Sequence, residues 1–204
     1  MIGTEKILGR RAATPEVAGK IDAVIGAQMK LAASVLGPLA SGATISPGNV
    51  KGGITSIQEK SLGCIIKGGT TPIRDVLPFA GAVERDGLHI MDGPGSDVFS
   101  ITGVAATGAQ IIIFSTGRGS PAGFPIVPVL KVSTNTDLHE RLPDDIDLDA
   151  GRVITGMAVA DVGRELVALV AEVASGRTTK AESNGYDLMS LYATGPAVAR
   201  TTGA

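Results

Sequence analysis

Apolar residues occur along the chain in two patterns, short continuous runs and helical spacing, and residues 87–119 show both. Leu88 to Met91 is a short apolar run that stops at Asp92, and a glycine-rich turn follows it. Apolar residues then recur at helical spacing, at Val98, Ile101, Val104 and Ala105. A second apolar run covers 111–114. The order strand, turn, helix, strand predicts a βαβ unit in which 88–91 and 111–114 are neighbouring parallel strands, 97–108 is the crossover helix and 111–114 is central.

The same two patterns, apolar runs and helical spacing, predict the other elements. A helix is expected at 14–36, with Thr14 as its N-cap and Pro15 at its first position, and its apolar face carries one polar residue, Gln28. Further helices are predicted from Thr55 or Ser56 to about Gly63, at 137–142 and at 160–174. Strands are predicted at Ile65–Ile66 and 126–132, where Pro128 favours an edge position or a bulge.

These elements indicate an α/β fold. We predict a Rossmann-like three-layer domain with a mostly parallel sheet at 61–180. A helical and loop appendage is expected at 1–60, and a flexible tail at 181–204.

Composition excludes several classes of protein. The 204 residues carry a formal net charge of −2, and no basic stripe alternates with aromatics, so nucleic acid is not an expected partner. No apolar run approaches the ~20 residues of a membrane span, and the amino terminus lacks the apolar core of a signal peptide. We expect a cytoplasmic protein that forms no intrachain disulfide, since it has one Cys, and that is able to form a homo-oligomer.

Candidate chemistry lies at the predicted strand ends, because ligands of open α/β sheets bind beyond the carboxyl ends of the strands. The loops DGPGSD and STGRG predict a site for a small anion, whereas DGPGSD does not fit the GxGxxG pattern of a dinucleotide site. Ser96 or Asp97 could instead only cap the following helix. The candidate ligand-binding residues are Gly93, Gly95, Ser96, Thr116, Gly117 and Asn135.

Three cations in or beside strand-end loops are candidate catalytic residues: Lys67 in KGG, Arg118 in TGRG and Lys131 before STN. The fourth candidate is the carboxylate of Asp92, which ends a predicted strand. Arg118 is the best candidate to hold a carboxylate, because its planar fork matches that group, and a surface salt bridge is the alternative. We expect Asp92, Ser96, Arg118 and Asn135 to converge in one pocket.

Other polar residues have competing interpretations. Three interpretations of Cys64 compete: a buried core residue, a metal ligand and a nucleophile. The four aspartates of PDDIDLDAG form a solvated loop or, as the second interpretation, a hard-cation site. His89 and His139 are interpreted as structural.

Five ordered motifs resemble one family: GNVKGGITSIQEKSLGCIIKGGTTPIRDVL, GLHIMDGPGSD, FSTGRGSPAG, VLKVSTNT and DDIDLDAG. They are similar to the carboxyl-terminal half of the altronate/galactarate dehydratases, over about Gly3 to Lys180. Sulfolactate sulfo-lyase is a relative of those enzymes.

The resemblance implies a hydro-lyase that depends on a divalent metal, usually Fe²⁺ and otherwise Mn²⁺ or Mg²⁺, with Cys64 as the candidate ligand. It implies a sugar-acid substrate, a 2-keto-3-deoxy acid product and a Rossmann-like fold. Family members are about twice this length or more, so the resemblance implies a missing amino-terminal half, as a domain or partner subunit, to which the appendage at 1–60 would link this chain. The alternatives are a non-catalytic carboxylate-binding module and part of a sulfo-lyase-like enzyme.

Overall fold

The computed structural model describes residues 1–37 and 47–191. The helices are α1 (Glu5–Gly9), α2 (Pro15–Leu36), α3 (Pro47–Lys51), α4 (Ile57–Lys67), α5 (Asp97–Ala106), α6 (Thr136–Arg141), α7 (Val159–Ala174) and α8 (Lys180–Ser183). The strands are β1 (Ile73–Leu77), β2 (Leu88–Met91), β3 (Ile112–Thr116), β4 (Val129–Ser133) and β5 (Leu148–Asp149). All strand pairings in the described ranges are parallel, where a mostly parallel sheet was expected, and the predicted α/β fold is confirmed.

The described residues form two compact units. The first comprises Met1–Pro78 and Val83–Asp92, and the second comprises Phe79–Ala82 and the described residues from Gly93 onward. The sequence placed its boundary near residue 60, whereas the units divide near residue 92. Whether either boundary separates independently folding domains stays a prediction. Most of the predicted tail, 192–204, lies outside the described residues.

The first unit packs α2 against the pair β1–β2. Thr14 caps α2 by accepting from the amide of Val17 at 3.3 Å, and Pro15 is the first helical residue, as predicted. The buried face of α2 contributes Val17, Ile21 and Ile25 to a core that also contains Leu8, Ile65 and Ile73. The apolar face of α2 therefore serves the unit's own core.

The second unit has a three-stranded sheet in the order β3-β4-β5. All five residues of the central strand β4 are buried. On one face, Leu130 and Val132 pack with Val162, Leu169 and Val173 of α7. On the other face, Val129 packs with Ile101 of α5 and Ala181 of α8. The sheet is thus covered by helices on both faces, which explains the apolar strand sequence.

The predicted pairing of 88–91 with 111–114 is wrong. β2 pairs with β1, where Val76 lies opposite Ile90, and β3 pairs with β4 in the other sheet. β3 is also an edge strand, not the central one. Ile112 is buried, as expected, but Ile113 is 49% exposed, so an apolar run alone did not identify the sheet centre.

Three local predictions also need correction. The helix that begins after its N-cap Ser56 runs to Lys67, so Gly63 does not end it and Ile65–Ile66 is not a strand. Pro47–Lys51 forms a helix within a segment predicted as loop, whose residues 41–46 lie outside the description. Pro128 precedes β4 and marks neither an edge nor a bulge; its carbonyl accepts from the amide of Ile112 at 2.9 Å.

Within the described ranges, no helix combines the length and the apolar character needed to cross a membrane.

An ion pair between α2 and β1 gives the first unit a testable dependence on pH. Lys20 donates to Asp75 at 2.8 Å, and this bond, followed by the donation from the Val76 amide, holds the pKa of the Asp75 carboxyl below its ordinary value near 3.8. The unfolded chain therefore binds more protons than the native chain near that pH. The stabilisation is present above the ordinary pKa and is lost as the pH falls through the lower native pKa.

We expect Asp75→Asn to lower the free energy of unfolding at pH 7, and to have a smaller effect at about pH 3, which lies below the ordinary pKa of the carboxyl group. Urea titrations of the wild type and the variant at the two pH values would measure it. Lys20→Met should cause a loss at pH 7 that does not add to that of Asp75→Asn. An equal effect of Asp75→Asn at both pH values would contradict the assignment.

Candidate functional site

The three parallel strands of the second unit end side by side. Thr116 of β3 pairs with Ser133 of β4, which pairs with Asp149 of β5. The loops that leave these strands, 116–119, 133–136 and 149–151, together form what we call the carboxyl edge. In α/β proteins this is the edge at which ligands bind.

Hydrogen bonds connect the first two loops of the carboxyl edge. The amide of Thr134 donates to the Thr116 carbonyl at 2.9 Å, and Asn135 Nδ2 donates to the Gly117 carbonyl at 2.9 Å. Asn135 Oδ1 accepts from the amide of Leu138 at 2.8 Å and so caps α6. Asn135 therefore holds the Gly117 loop to the start of α6. Its predicted role in ligand binding stays a prediction.

The third loop is fixed by a buried aspartate. Asp149 Oδ1 accepts from Ser133 Oγ at 3.2 Å and from the Gly151 amide at 2.8 Å. Gly151 in turn packs against the backbone of Asn135 and Thr136 so closely that a Cβ would lie 2.2 Å from the Thr136 nitrogen. The carboxyl edge is consequently a single tightly packed structure.

Arg118 projects from the carboxyl edge. Thr116 Oγ1 accepts from the amides of Arg118 at 3.3 Å and Gly119 at 3.0 Å, and Gly119 has a φ of +87°, which favours glycine. The side chain of Arg118 is exposed, and within the described residues its guanidinium makes no hydrogen bond or ion pair. The alternative of a surface salt bridge is not seen in this part of the chain.

Lys131 was predicted to lie beside the loop that follows its strand, and it lies in the middle of the central strand β4, two residues before the strand ends at Ser133. Its side chain is 0% exposed, and Nζ donates to the Ser120 carbonyl at 3.1 Å. Nζ also lies 3.7 Å from Asp145 Oδ1 and 4.6 Å from the centre of the Tyr186 ring. Burial lowers the pKa of Lys131, while the carboxylates of Asp145 and Asp147 act in the opposite direction.

The acidic segment is structural, which corrects its interpretation as a solvated loop. Asp147 accepts from the backbone amides of Lys131 at 2.7 Å and Lys180 at 2.9 Å. Asp145 accepts from the Tyr186 hydroxyl at 2.8 Å, and this bond is the main reason that the pKa of Tyr186 is raised above its ordinary value. The alternation of aspartate with apolar residues was the sequence signal of a structural role, because Leu148–Asp149 in this segment forms a buried strand.

The remaining catalytic candidates belong to the first unit. Asp92 directly follows β2, and Gln28 Nε2 of α2 donates to its Oδ1 at 3.3 Å. Sequence reasoning did not assign Gln28 a role, although it noted this polar residue on an otherwise apolar helix face. Lys67 is the last residue of α4 and is exposed, so it lies in a helix and not in the glycine loop.

Cys64 is exposed within α4, which excludes the interpretation as a buried core residue. Across 1–37 and 47–191, no group of three or more His, Cys, Asp and Glu side chains is arranged to hold a metal ion. The described side chains thus do not supply a ligand set for the implied divalent metal.

The glycine turn before α5 is open. Gly93, Gly95 and Ser96 are exposed, and Ser96 occupies the N-cap position without a side-chain capping bond. His89 lies in β2, with Nδ1 3.0 Å from the Gly87 carbonyl, and His139 lies in α6. Asp92 is in the first unit, whereas Ser96, Arg118 and Asn135 are in the second, so convergence of the four in one pocket stays a prediction.

The chain is similar to altronate and galactarate dehydratases. It is 38% identical to an altronate dehydratase of Bacillus subtilis (strain 168) over 196 residues, which cover 96% of this chain and 39% of the relative. It is 40% identical to the galactarate dehydratase (L-threo-forming) of Escherichia coli (strain K12) over 133 residues, 65% of this chain and 25% of the relative.

A third relative, the (2R)-sulfolactate sulfo-lyase subunit beta of Chromohalobacter salexigens, is 34% identical over 68% of this chain and 36% of its own length. The chain thus spans well under half the length of these curated relatives. Residues 1–197 match the family model described as D-galactarate/altronate dehydratase, C-terminal. The chain therefore belongs to the galactarate/altronate dehydratase family and corresponds to its carboxyl-terminal domain.

Proposed function

We propose that this chain is the carboxyl-terminal domain or subunit of a metal-dependent hydro-lyase that dehydrates a sugar acid to a 2-keto-3-deoxy acid. The observation that supports it best is Arg118, exposed on a hydrogen-bonded loop at the carboxyl edge with its guanidinium free of protein partners in the described structure. A planar guanidinium can bind a carboxylate through two parallel hydrogen bonds.

The proposed reaction needs a cation such as Arg118 beside the substrate carboxylate. Dehydration removes the proton α to the carboxylate and expels the β-hydroxyl, so negative charge builds on the carboxylate oxygens in the transition state. A cation held in place before the reaction stabilises that charge without reorganising. The Thr116 hydroxyl and the tightly packed carboxyl edge hold the backbone from which the guanidinium of Arg118 extends.

The base, the acid and the metal need further groups. Asp92 and Lys67 remain candidates for contact with the substrate or the metal, and Cys64 remains a candidate ligand. Because the described side chains form no cluster of three or more metal-binding groups, we propose that the amino-terminal part of the complete enzyme supplies most ligands of the divalent metal. That part would be fused to this chain or would be a partner subunit. Cytoplasmic location and homo-oligomer formation also remain predictions.

A second candidate function is that of a sulfo-lyase-like enzyme acting on a sulfo-acid. The similarity to a sulfolactate sulfo-lyase subunit favours it. A third, a non-catalytic carboxylate-binding module, uses the same loops without turnover.

Binding of small acids to the chain tests the proposal. In NMR titrations we expect galactarate and altronate to bind weakly, at about millimolar Kd, and Arg118→Ala to weaken binding at least about tenfold, since a charge-assisted hydrogen bond contributes about 1.5–3 kcal/mol. Arg164→Ala is the matched control, because that exposed arginine already pairs with Asp161. Preference for sulfolactate would favour the second function, and equal binding by Arg118→Ala would refute the role of Arg118.

A further inference from the structure

The loop that carries Arg118 continues into the core of the second unit. Ser120 is 8% exposed and Ala122 is 2% exposed, although both lie in the connection between β3 and β4. A Cβ on Gly123 would lie 2.1 Å from the Tyr186 carbonyl oxygen, so backbone packs directly on backbone there. A buried connection of this kind leaves peptide groups that need partners inside the protein.

Lys131 supplies the partner for the Ser120 carbonyl, only two residues from Arg118. We propose that Lys131 is a positioning residue: its buried ammonium group fixes Ser120 and thereby the loop that presents Arg118 to the substrate carboxylate. The inference rests on the proposed function of Arg118. Lys131 itself does not contact the ligand, because its side chain is fully buried.

Three groups hold the ammonium in place. Besides the Ser120 carbonyl, it faces the Asp145 carboxylate and the Tyr186 ring, and the Tyr186 hydroxyl donates to the same carboxylate. A buried charge is tolerated when it is paired and hydrogen-bonded, and such a network specifies one geometry. Arg118 is thus held by the Thr116 hydroxyl before it in sequence and by the Ser120 contact after it.

The test uses Lys131→Met, which keeps most of the length of the side chain and removes its charge. We expect galactarate binding to the full chain to weaken at least about threefold, within the range of coupling energies for residues of one network. We also expect amide hydrogen exchange at Gly119 to accelerate, while Leu130 and Val132 in β4 keep their protection. Uniform destabilisation would instead accelerate exchange at all these amides.

Lys180→Met is the matched control. Lys180 also donates to backbone carbonyls, those of Pro143 and Ile146, but it does not contact Ser120. Its replacement should leave galactarate binding unchanged. If Lys131→Met does not fold, Asp145→Asn replaces it, since loss of the counterion should loosen the same contact and weaken binding at least about twofold.

The outcomes are distinct. Unchanged binding and unchanged Gly119 exchange in folded Lys131→Met, or in Asp145→Asn where that variant is needed, would overturn the positioning role. Equal losses in Lys131→Met and Lys180→Met would also overturn it. If the wild type does not bind galactarate, or Arg118→Ala binds as the wild type does, the proposed function fails before the role of Lys131 is reached.

Discussion

Replacing Gly151 with alanine is expected to destabilise the second unit by about 3 kcal/mol, the upper part of the usual range for overpacking. The added Cβ would lie 2.2 Å from the Thr136 nitrogen and 2.4 Å from the Cα and carbonyl carbon of Asn135. These are backbone atoms of a capped helix start, which cannot move aside as the end of a flexible side chain can. Displacing Asn135 would also disturb its bond to Gly117 and, through it, the Arg118 loop.

Urea unfolding at neutral pH would measure the effect as a lower midpoint at unchanged slope. Gly163→Ala is the matched control. Gly163 lies within α7, and no atom beyond its own stretch of helix lies within 4 Å of its potential Cβ, so alanine there should be neutral or stabilise by about 0.5–1 kcal/mol. Equal midpoints for Gly151→Ala and the wild type would show that the loops do not approach as closely as described.

The sequence predicted those elements whose signals are local. Thr14, Pro15 and the apolar spacing of 14–36 predicted α2, and the apolar spacing of 160–174 predicted α7 to within one residue. In both helices the signal lies in the helix or directly beside it: the N-cap and the apolar face of α2, and the apolar face of α7. Misreading Gly63 as a helix end has a local reason too. A glycine within a helix is tolerated where the flanking residues pack, and Ile65 of α4 does so.

Strand pairing could not be predicted in the same way. β2 and β3 follow each other in sequence, yet each pairs within a different sheet, because a strand's partner depends on the packing of whole units. The central strand was also hard to identify. β4 carries a lysine in the core, and the groups that satisfy it, Ser120, Asp145 and Tyr186, are distant in sequence.

The same distinction between local signals and contacts distant in sequence applies to the candidate site. Residues 116–118 and Asn135 were chosen because they follow strands, and parallel strands bring such residues to one edge, as the bond between Asn135 and Gly117 shows. Asp149, Gly151 and Gln28 were missed as site components. An aspartate in a polar cluster or one glutamine on a helix shows its partner only after the chain has folded.

The largest expected effect concerns turnover. We expect this chain alone to bind a sugar acid weakly and not to dehydrate it, since elimination needs a base, an acid and a metal in register with the bound carboxylate. Arg118 can hold the carboxylate, but the described side chains offer no grouped metal ligands. Joined to the amino-terminal remainder of the Bacillus subtilis altronate dehydratase, of which this chain spans 39%, it should release a 2-keto-3-deoxy acid from altronate.

In that joined enzyme, Arg118→Ala should lower kcat/KM at least about tenfold, the loss expected for one charge-assisted contact made in the transition state. Arg164→Ala should leave kcat/KM unchanged, because its guanidinium is already paired with Asp161. Keto-acid formation, followed with Fe²⁺ supplied to each protein, is the measurement. Rapid dehydration by the 204-residue chain alone would refute the division of the active site between the two parts, and full activity of joined Arg118→Ala would remove this arginine from the mechanism.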